Sequence, residues 1–91
     1  MLRVLDEMCQ QPNDREVTVV LAGDTLTELQ APNARQLALT KAAQMGLSRP
    51  GLDIQSGPYP VDAEGNSNDD VVFGRVPVAG YRQDFKVRGG L

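Results

Sequence analysis

The sequence predicts an α+β domain in which one helix packs across a β-sheet. Three stretches carry that expectation: the β-branched run EVTVVLAG at 16–23, an alanine-rich segment at 33–45, and an alternating strand from Tyr81 to Val87. Ninety-one residues make one domain with a modest core.

Residues 1–15 stand apart from the rest of the chain. Leu2, Leu5, Met8 and Cys9 recur at helical spacing until Pro12-Asn13-Asp14 breaks the run, so this stretch reads as a short amphipathic helix or as an N-terminal extension. From Glu16 the pattern becomes that of a strand, with Val17, Val19 and Leu21 on one face and Thr18, Val20 and Ala22 on the other. Ala22-Gly23-Asp24-Thr25 is a turn signal, and LTELQA reads as the returning strand of a hairpin. Leu26 and Leu29 lie three apart, so a bulge or an early strand end is expected there.

After Pro32 the helical segment begins. Asn33 can cap it, and Ala34, Leu37, Ala38, Ala42 and Met45 form one apolar stripe, with Arg35, Gln36, Thr40, Lys41 and Gln44 mostly outside it. Gly46 falls where a left-handed C-terminal cap is wanted, and Pro50 lies just beyond. LDIQSG at 52–57 predicts a short strand with Leu52 and Ile54 facing one way. Residues 58–70 make a polar loop, and Val71-Val72-Phe73 reads as a buried plug or short strand. The last strand sets Tyr81, Gln83, Phe85 and Val87 against Arg82, Asp84, Lys86 and Arg88. The expected core is Val17, Val19, Leu21, Leu37, Met45, Ile54 and Phe73.

Composition removes several function classes. A net charge of −3 argues against a nucleic-acid binder, which normally shows a basic stripe. With no histidine, His-based acid–base chemistry and Ser-His or Cys-His pairs are excluded. Asp69-Asp70 is a close carboxylate pair, but neighbours on a strand diverge, so these read as solvated loop acids. The chain is not expected to be an enzyme by itself, and nothing calls for a cofactor. Cys9 has no basic cluster around it and reads as a small hydrophobe. No long apolar run suggests a membrane span, and Asp6-Glu7 interrupts any secretory segment at Met1–Leu5, so a reducing cytoplasm is expected.

The final stretch, DFKVRGGL at 84–91, is unusual. Two adjacent glycines stop a strand. They read either as a frayed end or as a thin tail that another protein must grip.

The element order, together with FKVRGG running out of a strand, resembles the β-grasp fold of small prokaryotic ubiquitin-like proteins. FKVRGG is similar to the LRLRGG ending of ubiquitin itself, and residues 17–46 resemble the opening hairpin and helix of the family. The likeness spans roughly 16–90, whereas residues 1–15 and the long 58–70 loop depart from the family's compact pattern. It implies a mixed sheet with the helix across it, a ubiquitin-like domain over 16–88 and a flexible tail at 89–91.

The resemblance also implies a chemistry. An ATP-dependent activating enzyme would adenylate Gly90 and hold it as a thioester, and a conjugating enzyme would pass it to target proteins as an isopeptide. Gly89 would keep the tail thin enough to thread, because a Cβ would meet the walls of a narrow channel. Lys86, Val87 and Arg88 would dock the tail, with Arg88 offering a planar fork of donors. Leu91 blocks Gly90, so the resemblance implies release of Leu91 by a peptidase, in this family often a zinc isopeptidase. Lys41 and Lys86, the only lysines, are the candidate acceptors for chain building. Arg82 and Lys86 would edge a recognition surface on the sheet face away from the helix. Two other readings stand beside the modifier: a sulfur carrier of the thiamine or molybdopterin type, and a noncovalent interaction module such as a phage or adaptor protein.

Overall fold

The computed structural model describes residues 1–9 and 15–89. Within them the chain forms β1 (Arg3–Val4), a 3-10 turn (Asp6–Met8), β2 (Glu16–Gly23), α1 (Leu26–Gln30), α2 (Pro32–Gln44), β3 (Pro50–Val61), α3 (Asp69–Val72) and β4 (Gly80–Gly89). The four strands make one sheet in the order β1-β2-β4-β3, and α2 packs across one face. No helix among the described residues is long and apolar enough to cross a membrane.

The expected mixed sheet is corrected: every pairing is antiparallel. The cause lies at 26–30, where the returning hairpin strand was expected and a helix stands instead. Thr25 caps that helix, its Oγ1 accepting from the Glu28 amide at 3.3 Å, while Glu28 Oε2 accepts from the Asp24 amide at 3.0 Å. Without the return strand the chain reverses once less. β2 and β3 therefore run the same way, joined through α1 and α2, and β4 lies between them antiparallel to both. The second partner of the opening pair comes from the N-terminal stretch instead: Arg3 and Val4 lie opposite Ala22 and Leu21.

The central helix is as expected in place and in exposed polar face. Ala34, Ala38 and Ala42 are fully buried, and their small side chains let α2 come close to the sheet. Pro32 opens the helix and Ala31 occupies the cap position without a side-chain bond, so Asn33 lies inside the first turn rather than capping it. At the other end Gly46 takes φ +101°. The Gly46 amide donates to Ala43 O at 3.0 Å and the Leu47 amide to Ala42 O at 3.1 Å, the paired bonds of a glycine-terminated helix. Leu47 then tucks into the core.

The core consists of Val17, Val19, Leu21, Leu29, Leu47, Phe85, Val87 and the three alanines, with Leu37 and Met45 half-buried against it. Two expected members are not in it. Phe73 is 69 % exposed and Ile54 is 55 % exposed. For Ile54 the reason is a bulge at Asp53: Leu52 lies opposite Val87, but Ile54 lies opposite Lys86, so the two apolar side chains share no face. For Phe73 the reason is α3, where Asn68 Oδ1 accepts from the Val71 amide at 3.3 Å. That short helix buries Val71 and turns Val72 and Phe73 outward.

Candidate interaction surface

The residues expected to act in the tail do not gather into one exposed site. Val87 is fully buried beneath the helix and cannot dock on a partner. Arg88 is already engaged, with Nη2 3.6 Å from Glu16 Oε2 and 3.5 Å from Asp53 Oδ2. Gly89, expected in a flexible tail, is the last residue of β4 and lies opposite Pro50. A Cβ there would meet Leu47 Cδ1 and Cγ and Ser48 O, each at 3.2 Å, so Gly89 serves close packing. Gly90 and Leu91, the expected reacting and removable residues, lie outside the described residues. Lys86 is exposed on the sheet face away from α2. Lys41 lends its ammonium to Asp6 Oδ1 at 2.6 Å, and that bond holds its pKa above the ordinary lysine value.

The outer sheet face is partly covered. Arg82 lies under the 62–66 loop, so close that a Cβ on Gly65 would collide with its Nη2, and Gly65 adopts φ +84° there. Its Nη1 lies 3.3 Å from Met8 Sδ. The loop is fixed by Asp62 Oδ1, which accepts from the amides of Glu64 and Asn66 at 2.9 Å each. Arg82 is therefore a packed residue rather than a free charged edge. Beside it Tyr59 donates to Asp84 Oδ1 at 2.8 Å. Burial, then the bond to Asp84, pushes the Tyr59 phenol up to about 12.

What remains open is the rim. β3 is an edge strand, paired only with β4, and residues 51–57 are all exposed. Pro50 stands before this stretch and Pro58 and Pro60 after it. Proline has no amide hydrogen to add to a ladder, so the prolines confine the open edge to those seven residues. Asp53 carries the stretch's one charge, and Arg88 holds it. A second apolar feature is the knuckle formed by the end of α3 and the turn beyond it, where Val72, Phe73 and Val78 project into solvent. The Arg75 guanidinium sits 6.0 Å from the Phe73 ring centre.

The described residues thus define a small α+β domain with a four-stranded antiparallel sheet and a helix across it. No known domain family, curated protein or solved structure matches the chain.

Proposed function

We propose that this chain is a noncovalent protein-interaction module that takes an extended segment of a partner protein as an added strand beside β3. The observation that carries the reading is the open edge at 51–57, with Ile54 exposed and no free charge to repel a second strand. Edge amides and carbonyls supply affinity in such docking, and alternate side chains supply specificity. The bounding prolines match a short partner segment better than a long edge-to-edge pairing of two copies. Phe73 and its neighbours add an apolar contact of the kind that marks interaction surfaces.

The test is selection of binding peptides from a random library, with hydrogen exchange then measured on the complex. Slowed exchange at 51–57, lost with Ile54→Lys, supports the reading. Protection elsewhere, or binding indifferent to Ile54→Lys, removes it. A dimer broken by Ile54→Lys would mean that the occupant is a second copy.

A second reading, the ubiquitin-like modifier, is favoured by one feature: an exposed Lys86 and a partly exposed Arg88 on the strand that leads into Gly89-Gly90. On this reading Gly89 must leave Pro50 before Gly90 reaches an activating enzyme. Mass spectrometry of the protein from its native cells distinguishes the readings. An isopeptide remnant of Gly90 marks a modifier, a Gly90 thiocarboxylate marks a sulfur carrier, and neither supports the noncovalent module.

A further inference from the structure

On the helix side of the sheet, between the start of α2 and the middle of β3, lies a polar cleft of about 390 Å³. Leu29, Gln30, Arg35, Gln55, Pro58 and Gln83 line it. A volume of this size suits a ligand of one or two residues. No acidic side chain lines it, although the chain as a whole is acidic.

The floor of the cleft is Gln83, which is 2 % exposed and is the buried polar residue of the described core. Its Nε2 donates to Ser56 O at 3.0 Å and to Asp84 O at 3.3 Å. Two carbonyl acceptors require a donor between them, which fixes the amide orientation and leaves Oε1 as the other atom. Oε1 has no partner among the described residues. No sealed side-chain nitrogen or oxygen there lacks a partner, so Oε1 is reachable from the cleft. An acceptor on an otherwise buried side chain, open to a cavity, is a built feature of the fold.

The walls supply the complementary groups. The Arg35 guanidinium makes no ion pair among the described residues, and the Gln30 and Gln55 carboxamides are likewise uncommitted there. Arg35 presents a planar fork that suits a carboxylate bidentately. Gln83 Oε1 asks for an N–H.

We propose that this cleft binds a carboxylate bearing an N–H donor on its α-carbon: the carboxyl end of a peptide, or a free amino acid. The carboxylate sits on Arg35 with the Gln30 and Gln55 amides beside it, and the N–H donates to Gln83 Oε1. This site goes beyond strand addition at β3 and does not depend on it.

The experiment records nitrogen–proton NMR spectra of the full chain titrated with N-acetylglycine, with glycine and with N-acetylglycine methyl ester. The expected result is saturable shifts of the side-chain signals of Arg35, Gln55 and Gln83 with at least one of the two acids and none with the ester. Arg35→Gln should weaken binding roughly tenfold to a hundredfold, the usual worth of a charge-assisted hydrogen bond. Gln55→Ala, at an exposed position, should weaken it less while preserving the spectrum of the folded chain. Saturation with N-acetylglycine alone points to a peptide end, and with glycine alone to a free amino acid. Ile54→Lys should leave the titration unchanged whatever it does at the strand edge. Shifts that never saturate, equal response to the ester, or undiminished binding by folded Arg35→Gln would overturn the proposal.

Discussion

Tyr59 on β3 donates its phenolic hydrogen to Asp84 Oδ1 on β4 at 2.8 Å, a bond across the sheet beside the second register shift. Burial is the larger cause that raises the Tyr59 phenol from an ordinary value of 10.0 to about 12, and the bond adds to it. Because the folded state keeps the proton that the unfolded chain has lost, this contribution to stability is complete below about pH 10. It declines as the pH rises through about 12. In a Tyr81→Phe variant, where Tyr59 is the only tyrosine, ultraviolet titration of the phenolate should show a midpoint near 12. Asp84→Asn should lower the midpoint without restoring 10, because burial remains. A midpoint near 10 in the Tyr81→Phe variant would show that Tyr59 is neither buried nor bonded to Asp84 in solution.

Two glycines of the β3–β4 ladder should respond oppositely to alanine. At Gly89 the new Cβ would press on Leu47, which is buried, and on the Ser48 carbonyl oxygen. At Gly51 nothing lies within 4 Å of the added atom. Gly89→Ala should therefore cost about 1 kcal/mol or more by overpacking, and Gly51→Ala should be neutral or slightly stabilising. Urea unfolding of both variants measures the contrast.

The two phenylalanines offer a cleaner contrast. Phe85 is 1 % exposed at the centre of the core, whereas Phe73 stands in solvent. Phe85→Ala should cost about 3–5 kcal/mol, enough to unfold most of a domain this small. Phe73→Ala should stay within about 0.5 kcal/mol of the parent. A partner that uses the knuckle should bind Phe73→Ala more weakly even though the domain is unperturbed.

Lys41 should be a slow nucleophile. Its bond to Asp6 keeps the ammonium protonated to higher pH, which lowers the fraction of free amine at any pH below that point. Amine-reactive labelling, read by peptide mass mapping, should proceed faster at Lys41 in Asp6→Asn than in the parent. Equal rates would mean that the pair is not maintained in solution.

The sequence by itself determined those elements whose signals are local. β-Branched alternation placed Val17, Val19 and Leu21 inward, since neighbouring strand residues must face opposite ways. The alanine stripe and Gly46 placed α2 and its end. Thr25 and Glu28, three apart, are the local capping signal of α1 that the turn-and-strand reading of this stretch left unused. Nothing local announced the bulge at Asp53, because a bulge exists only relative to a partner strand, and it alone decides that Ile54 faces outward.

Tertiary structure also decided strand direction, the recruitment of Arg3–Val4 to the sheet, and the place of Gly89. Gly89 reads as a loose end in sequence, yet pairing with Pro50 and contact with Leu47 make it the close of a strand. The polar cleft gathers Gln30, Arg35, Gln55 and Gln83 from four separate elements. No spacing along the chain relates them, because chain packing alone sets the distance between residues so far apart in sequence.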